Sequence, residues 1–389
     1  MKPPLTPDLA PGRVPPLERH FYDNLEALRG IAALAVVLHH APFPGRISET
    51  TLALQSWLFV DFFFVLSGFV IALVHFDKPT GPATARQFLI RRIFRVYPLH
   101  LVTMIFVGAM LAVRIALDPT IGPQIGVDDR FPTLLVANIF LVQSWGFSGG
   151  GTLNVPSWSI STEWLAYLVS AGIVATIAAP GKRLAALVAI GASALALLVV
   201  FNGATLDGDL TYRALRCLYS FALGAIAWRL ARPLRQANLA MALQLTSLAA
   251  IAAIMAGALV TTHLTLLFPP VAALLVWAAA ADRGSPLYRA LVSRPARWIG
   301  ERSYSIYMIH LPLFMLLAFL GKRLHLSERL AGFGDLKAAN DFLVIGSIAL
   351  VLTVATHTYR WIEHPWRERG RRVAQRSVSP PPAKRPALP

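Results

Sequence analysis

The sequence predicts an all-α protein: a polytopic helical membrane protein with about ten transmembrane helices and one shorter re-entrant or interfacial segment. Three observations predict it. Hydrophobic residues make up 56% of the 389 residues and charged residues only 14%, less charge than a soluble chain of this length carries. The mean hydropathy is +0.56. The apolar residues gather into stretches of about 17 residues or more, the length a helix needs to cross a bilayer, separated by short links rich in arginine.

In chain order these stretches are 25–41, 52–75, 97–116, 161–180, 185–201, 212–229, 237–260, 264–281, 303–320 and 342–361. The piece Leu134 to Ser144 is too short to span alone and reads as re-entrant or interfacial. Loop charge sets the orientation. With the N-terminus in the cytoplasm, Arg86, Arg91, Arg92 and Arg95 fall inside, as do Lys182 with Arg183, and Arg229, Arg232 and Arg235. Arg283, Arg289, Arg294, Arg297 and Arg302 follow them inside, with Arg367, Arg369, Arg371 and Arg372 of the tail. Asp118, Asp128, Asp129, Asp207 and Asp209 fall outside. Arg46 and the mixed loop 321–341, which also holds Glu328, are the exceptions. The positive-inside rule therefore places both termini in the cytoplasm.

Three regions follow: a cytoplasmic N-terminal arm at 1–24, a transmembrane domain at 25–366, and a basic tail at 367–389 expected to be disordered. Residues 1–20 are polar and proline-rich with no apolar core of a signal peptide, so the first span is expected to serve as an uncleaved insertion signal. The net charge of +16 sits in the links between spans, which argues for topology and against a nucleic-acid partner. The single cysteine, Cys217, excludes an internal disulfide and a thiolate metal cluster, and no metal site is expected.

Ionisable groups inside such helices are costly and face a protein interior or a wet cavity. The first span, LEALRGIAALAVVLHHA, holds Arg29, His39 and His40. Eleven helical steps from Arg29 to His40 give a rise of roughly 16 Å and about three turns, which brings both to a similar face. The pair also fits an interfacial arginine and a hydrogen-bonded histidine. In FVDFFFVLSGFVIA, Asp61 sits near mid-membrane and needs a partner or a proton, and it can orient His40. Ser67 and Gly68 lie two turns nearer the cytoplasm, where Gly68 permits close approach of a helix or a ligand.

In RRIFRVYPLH, Arg92 and Arg95 share a face, as a topology signal or as guanidinium forks for phosphate. In NVPSWSISTEWLAYL, Ser159 or Ser161 can cap a helix that places Glu163 in its first turn, and Trp158 can belong to an interfacial aromatic belt. GERSYSIYMIHLPL puts Tyr304, Tyr307 and His310 on one stripe. His357, Glu363 and His364, near the exit of the last span, read as structural.

Taken in order, the Arg29-x10-His40 helix, VDFFFVLSGF, RRIFRVYP, PSWSISTEWLAY and SYSIYMIH resemble membrane acyltransferase family 3. Those bacterial integral-membrane O-acyltransferases modify surface polysaccharides, lipid-linked sugars and some antibiotics. The resemblance implies an acyl-CoA co-substrate, commonly acetyl-CoA, with no bound cofactor, and a hydroxylated acceptor such as a carbohydrate. It implies roles for Arg29, His40, Ser67, Gly68, Phe69, Arg92, Arg95 and Glu163. Tyr97, Trp158, Tyr304 and His310 are further candidates for lining the substrate site. The form resembled lacks the fused SGNH-type domain of some members, since the chain ends soon after its tenth span.

The scheme this suggests has Arg92 and Arg95, helped by Arg29, holding the CoA phosphates at the inner mouth, in the bacterial inner membrane. The thioester arm threads past Ser67, Gly68 and Phe69. His40, oriented by Asp61 or Glu163, takes the proton of an acceptor hydroxyl arriving from outside. Direct attack and a transient acyl-enzyme both remain open, as do a macrolide or lipid acceptor. A proton-coupled transporter could use the same ionisable residues as a relay, but no inverted repeat supports it.

Overall fold

Each of the ten apolar stretches falls on a helix, and proline marks where many of them begin. Proline occupies the first turn of α4 (Pro82–Leu117), α7 (Pro180–Phe201), α10 (Phe268–Ala281), α11 (Pro286–Leu291) and α12 (Arg294–Glu301). There its missing N–H is no loss and its fixed φ suits the helix. The computed structural model describes residues 16–118, 120, 131–146, 153–208, 210–231, 234, 236–325, 329 and 334–377. Asp128, Asp129, Gly149 to Gly151, Asp209, Arg232, Arg235, Glu328, the first 15 residues of the arm and 378–389 of the tail lie outside them.

The other helices are α1 (Pro16–His39), α2 (Thr51–Gln55), α3 (Phe59–His75), α5 (Phe131–Ile139), α6 (Ser157–Thr176) and α8 (Arg213–Leu230). They continue with α9 (Ala237–Ala258), α13 (Ser303–Arg323), α14 (Leu336–Thr358) and α15 (His364–Arg376). No strand occurs among the described residues. The protein is an all-helical, multi-pass membrane protein. Among the described residues, seven helical segments are long and apolar enough to cross a membrane, beginning at Thr51, Pro82, Pro180, Ala237, Thr262, Ser303 and Leu336. The remaining three apolar stretches fall on α1, α6 and α8, which carry Arg29, Glu163 and Arg216 into the interior. Valine, isoleucine and phenylalanine side chains of α4, α7 and α14, such as Ile105, Val200 and Phe342, stay exposed and form the apolar band that lipid covers.

Helix α3 is apolar on every side save at Asp61 and Ser67, and it sits in the middle. Val60, Phe64 and Ile71 enter one core cluster while Phe62, Val65 and Phe69 enter the other. Its partner is α8. A side chain at Gly68 would run into the backbone of Phe221, and one at Gly224 would run into the carbonyl of Val65. The two helices therefore touch at a pair of glycines, one on each.

Arg183, read from the sequence as an orientation signal, is a buried clamp. Its guanidinium donates to the carbonyls of Phe76, Lys78 and Ile177 at 2.6, 2.7 and 2.7 Å, and to Thr80 Oγ1 at 2.5 Å. It thereby ties the C-terminal end of α3 to the link between α6 and α7. The tail is a second correction. Residues 367–376, expected to be disordered, continue the last span as α15 after a π-turn at Tyr359–Glu363. Trp366, Gly370 and Ala374 recur every fourth residue and dock on α4, with the Trp366 ring 5.8 Å from Phe94.

Candidate functional site

Two recesses flank the start of α6, and they differ in chemistry. The first holds about 730 Å³ of space, its open mouth included, and is lined by Arg29 of α1, Ser67 of α3, Arg92 and Arg95 of α4, Glu163 and Tyr167 of α6, and Tyr304 of α13. Glu163 Oε1 accepts hydrogen bonds from the Ser67 hydroxyl and, at 2.6 Å, from Tyr167. The Arg92 guanidinium lies over the rings of Tyr167 and Phe88, at 5.4 and 5.7 Å. Arg29 is held at the helix ends, its Nε donating to Ser303 Oγ at 2.7 Å and its NH2 to the Gly300 carbonyl at 3.2 Å. Tyr304 donates to the Val96 carbonyl at 2.5 Å. Three guanidinium groups against one carboxylate leave the lining cationic, and neither Arg92 nor Arg95 forms a salt bridge among the described residues.

The second recess holds about 1090 Å³, its open mouth included, and is lined by His39, His40, Trp57, Trp158, Tyr212, Asp207, Arg213 and Arg216. Helix α1 ends at His39, one residue before His40, because Pro42 and Pro44 disfavour further helix. His40 is thus in a turn, about 16 Å beyond Arg29 as the spacing implies. Its Nδ1 lies 3.0 Å from the Val36 carbonyl. A carbonyl only accepts, so Nδ1 carries the proton and the Nε2 lone pair is left for chemistry. The ring stands 4.7 Å from His39 and 5.1 Å from His310.

One side chain lines both recesses. Tyr307 of α13 is 5% exposed, and its hydroxyl lies 2.8 Å from Ser159 Oγ and donates to the Pro156 carbonyl at 3.2 Å.

The structure brings Arg29, Ser67, Arg92, Arg95, Glu163 and Tyr304 together around the first recess, and His40 and Trp158 around the second. It does not bring either carboxylate to His40. Asp61 is buried against Arg216 and Ser220 of α8, and Glu163 faces the arginines. Glu163 is also not in a first helical turn, because α6 starts earlier, at Ser157. Ser159 and Ser161 bond the Pro156 and Leu141 carbonyls instead of capping. Gly68 and Phe69 are helix-packing positions that line neither recess, because the contact with α8 consumes that face. Tyr97 packs on the core, 6.2 Å from the His100 ring. His310 is buried behind Tyr307, donating from Nδ1 to its carbonyl at 2.6 Å.

Arg213 and Arg216 are not among the residues expected at the site, although two arginines three apart inside an apolar stretch are the same signal that singles out Arg29. Tyr307 stands out in the sequence by its spacing alone.

The acyltransferase domain of the acyltransferase 3 family matches residues 22–358. The chain belongs to that family. This acyltransferase is 25% identical over 383 residues to the peptidoglycan O-acetyltransferase OatA of Listeria monocytogenes, covering 90% of this chain and 57% of OatA. It is 27% identical over 376 residues to BcsY of Komagataeibacter xylinus, a protein named as a membrane-bound transacylase, covering 91% of this chain and 86% of BcsY. It is 35% identical over 152 residues to the acyltransferase MdmB of Streptomyces mycarofaciens, covering 37% of each. The chain thus spans little more than half the length of OatA. No solved structure matches it.

Proposed function

We propose that this protein is an integral-membrane O-acyltransferase that moves an acyl group, acetyl first among candidates, from cytoplasmic acyl-CoA to a hydroxyl of a cell-envelope glycan. The observation that carries the reading is the pair of recesses meeting at one side chain, the first lined by three arginines and a carboxylate, the second by two histidines, two indoles and two arginines. Planar guanidinium groups suit the phosphates of CoA, which cannot enter hydrocarbon. The arginine recess is the donor site. It faces the cytoplasm, with both termini on that side, in keeping with the arginine-rich links.

The second recess is the acceptor site. Asp207 and Arg213 offer polar partners for sugar hydroxyls, beside an apolar wall of Trp57 and Trp158 that the arginine guanidinium groups hold in place. His40 Nε2 takes the acceptor proton while the hydroxyl oxygen bonds to the thioester carbonyl carbon. The carbon–sulfur bond then breaks, and the sulfur takes the proton that His40 holds, so CoA leaves as its thiol. That OatA is named for peptidoglycan supports a glycan acceptor in the envelope.

The test is a purified preparation in proteoliposomes given acetyl-CoA labelled in the acetyl group and soluble peptidoglycan or glucan fragments. The expected result is label on the glycan as an alkali-labile ester with one CoA thiol released per ester. Label that never leaves CoA with any hydroxylated acceptor, lipid and macrolide included, refutes the reading.

A further inference from the structure

We propose that Tyr307 decides between water and acceptor: it closes the wall between the two sites and keeps water from the thioester until an acceptor is seated. The proposal rests on the donor and acceptor reading above.

Tyr307 lines both recesses and is 5% exposed, so a single side chain separates them there. Its ring is wedged edge-on against Phe63 at 5.5 Å, and Phe63 lines the donor side. Its hydroxyl is latched by neutral partners alone, Ser159 Oγ at 2.8 Å and the Pro156 carbonyl at 3.2 Å, both at the start of α6. Neutral hydrogen bonds of this kind have a small net strength. A sugar offering hydroxyls of its own can replace them one for one, and a lone water has no ring faces with which to hold the displaced wall open.

The competing reaction is plain hydrolysis. Water adds to the thioester carbonyl, the carbon–sulfur bond breaks, and the products are the free carboxylic acid and CoA thiol. A transferase must suppress it, and excluding water from a loaded site is the common means.

The experiment follows thiol release from acetyl-CoA by the full-length protein in proteoliposomes with no acceptor, alongside acetyl-CoA binding. Wild type should release thiol slowly. Tyr307→Phe, which keeps the ring and loses the latch, should release it about fivefold faster, the factor set by one hydrogen bond. Tyr307→Ala should release it about tenfold faster or more. Both should still bind acetyl-CoA, which the binding measurement establishes before release rates are compared at saturating acetyl-CoA. A merely structural tyrosine predicts weaker binding with no rise in hydrolysis, and that result overturns the proposal, as does unchanged thiol release in variants that bind. If Tyr307→Ala fails to fold, the phenylalanine variant carries the test. Wild type that binds no acetyl-CoA defeats the donor reading, and this proposal falls with it.

Discussion

Asp61 of α3 and Arg216 of α8 form a buried two-pronged ion pair. Arg216 Nε donates to both carboxylate oxygens, at 3.0 and 2.9 Å, and its NH2 donates to Oδ2. Ser220 Oγ completes the shell at 3.0 Å. The guanidinium then lies 4.8 Å from the Trp57 ring and 5.4 Å from the Trp158 ring. The carboxylate expected to serve His40 instead fixes the arginine on which the indoles of the acceptor recess rest.

Breaking that pair should therefore damage the fold as much as the chemistry. Asp61→Asn leaves a buried guanidinium without its counter-charge, which costs about 3–5 kcal/mol. A fall in the unfolding temperature of the purified protein in detergent checks it. Asp61→Leu combined with Arg216→Met should recover much of the loss. A fully stable Asp61→Asn protein contradicts the assignment.

The donor arginines should read out in salt. Arg92→Ala and Arg95→Ala should each weaken acetyl-CoA binding by about 10- to 100-fold, the range for a lost hydrogen bond to a charged group. The loss should shrink as ionic strength rises. Arg92→Lys keeps the charge but gives up the stack on Tyr167 and should recover binding only in part. Titration with acetyl-CoA at two salt concentrations is the measurement, and unchanged affinity would make both arginines orientation signals only.

Glu163 should act on the donor side. Glu163→Gln keeps the size of the side chain but weakens its hold on Ser67 and Tyr167 and removes the counter-charge of the arginines. The KM for acetyl-CoA should change, while the acid limb of the pH–rate profile stays where wild type has it. A displaced limb would restore the coupling to His40 that the structure does not show.

Arg183→Lys should be costly although no charge is lost. A lysine ammonium cannot span the carbonyls of Phe76, Lys78 and Ile177 that the planar fork reaches together. A loss of about 2–4 kcal/mol is expected, from buried carbonyls left short of donors. Thermal unfolding measures it, and a wild-type midpoint would contradict the clamp.

The helices were legible in the sequence because lipid demands long apolar runs, and all ten stretches from 25–41 to 342–361 fall on helices. Membership of the acyltransferase 3 family was legible too, from motifs that keep their order along the chain. The partners of the charged groups were not. Nothing local ties Asp61 to Arg216, which lies 155 residues on; only the α3–α8 crossing at Gly68 and Gly224 brings them together. Glu163 was misplaced because the serines look like caps, whereas the helix already begins at Ser157. The tail was misread from its charge, which hid the stripe of Trp366, Gly370 and Ala374. Spacing fared better with Arg29 and His40. Eleven steps along one helix axis set a distance no side chain can alter, and that distance puts one at each recess.

The account turns on His40, which lines the acceptor recess with its Nδ1 held by the Val36 carbonyl. The most direct measurement is acetyl transfer by purified His40→Ala, with acetyl-CoA binding followed in the same preparation. Transfer should fall by roughly 10²- to 10⁴-fold, the usual contribution of a general base, while acetyl-CoA binds as in wild type. Near-normal transfer, or a loss confined to acetyl-CoA binding, would contradict it.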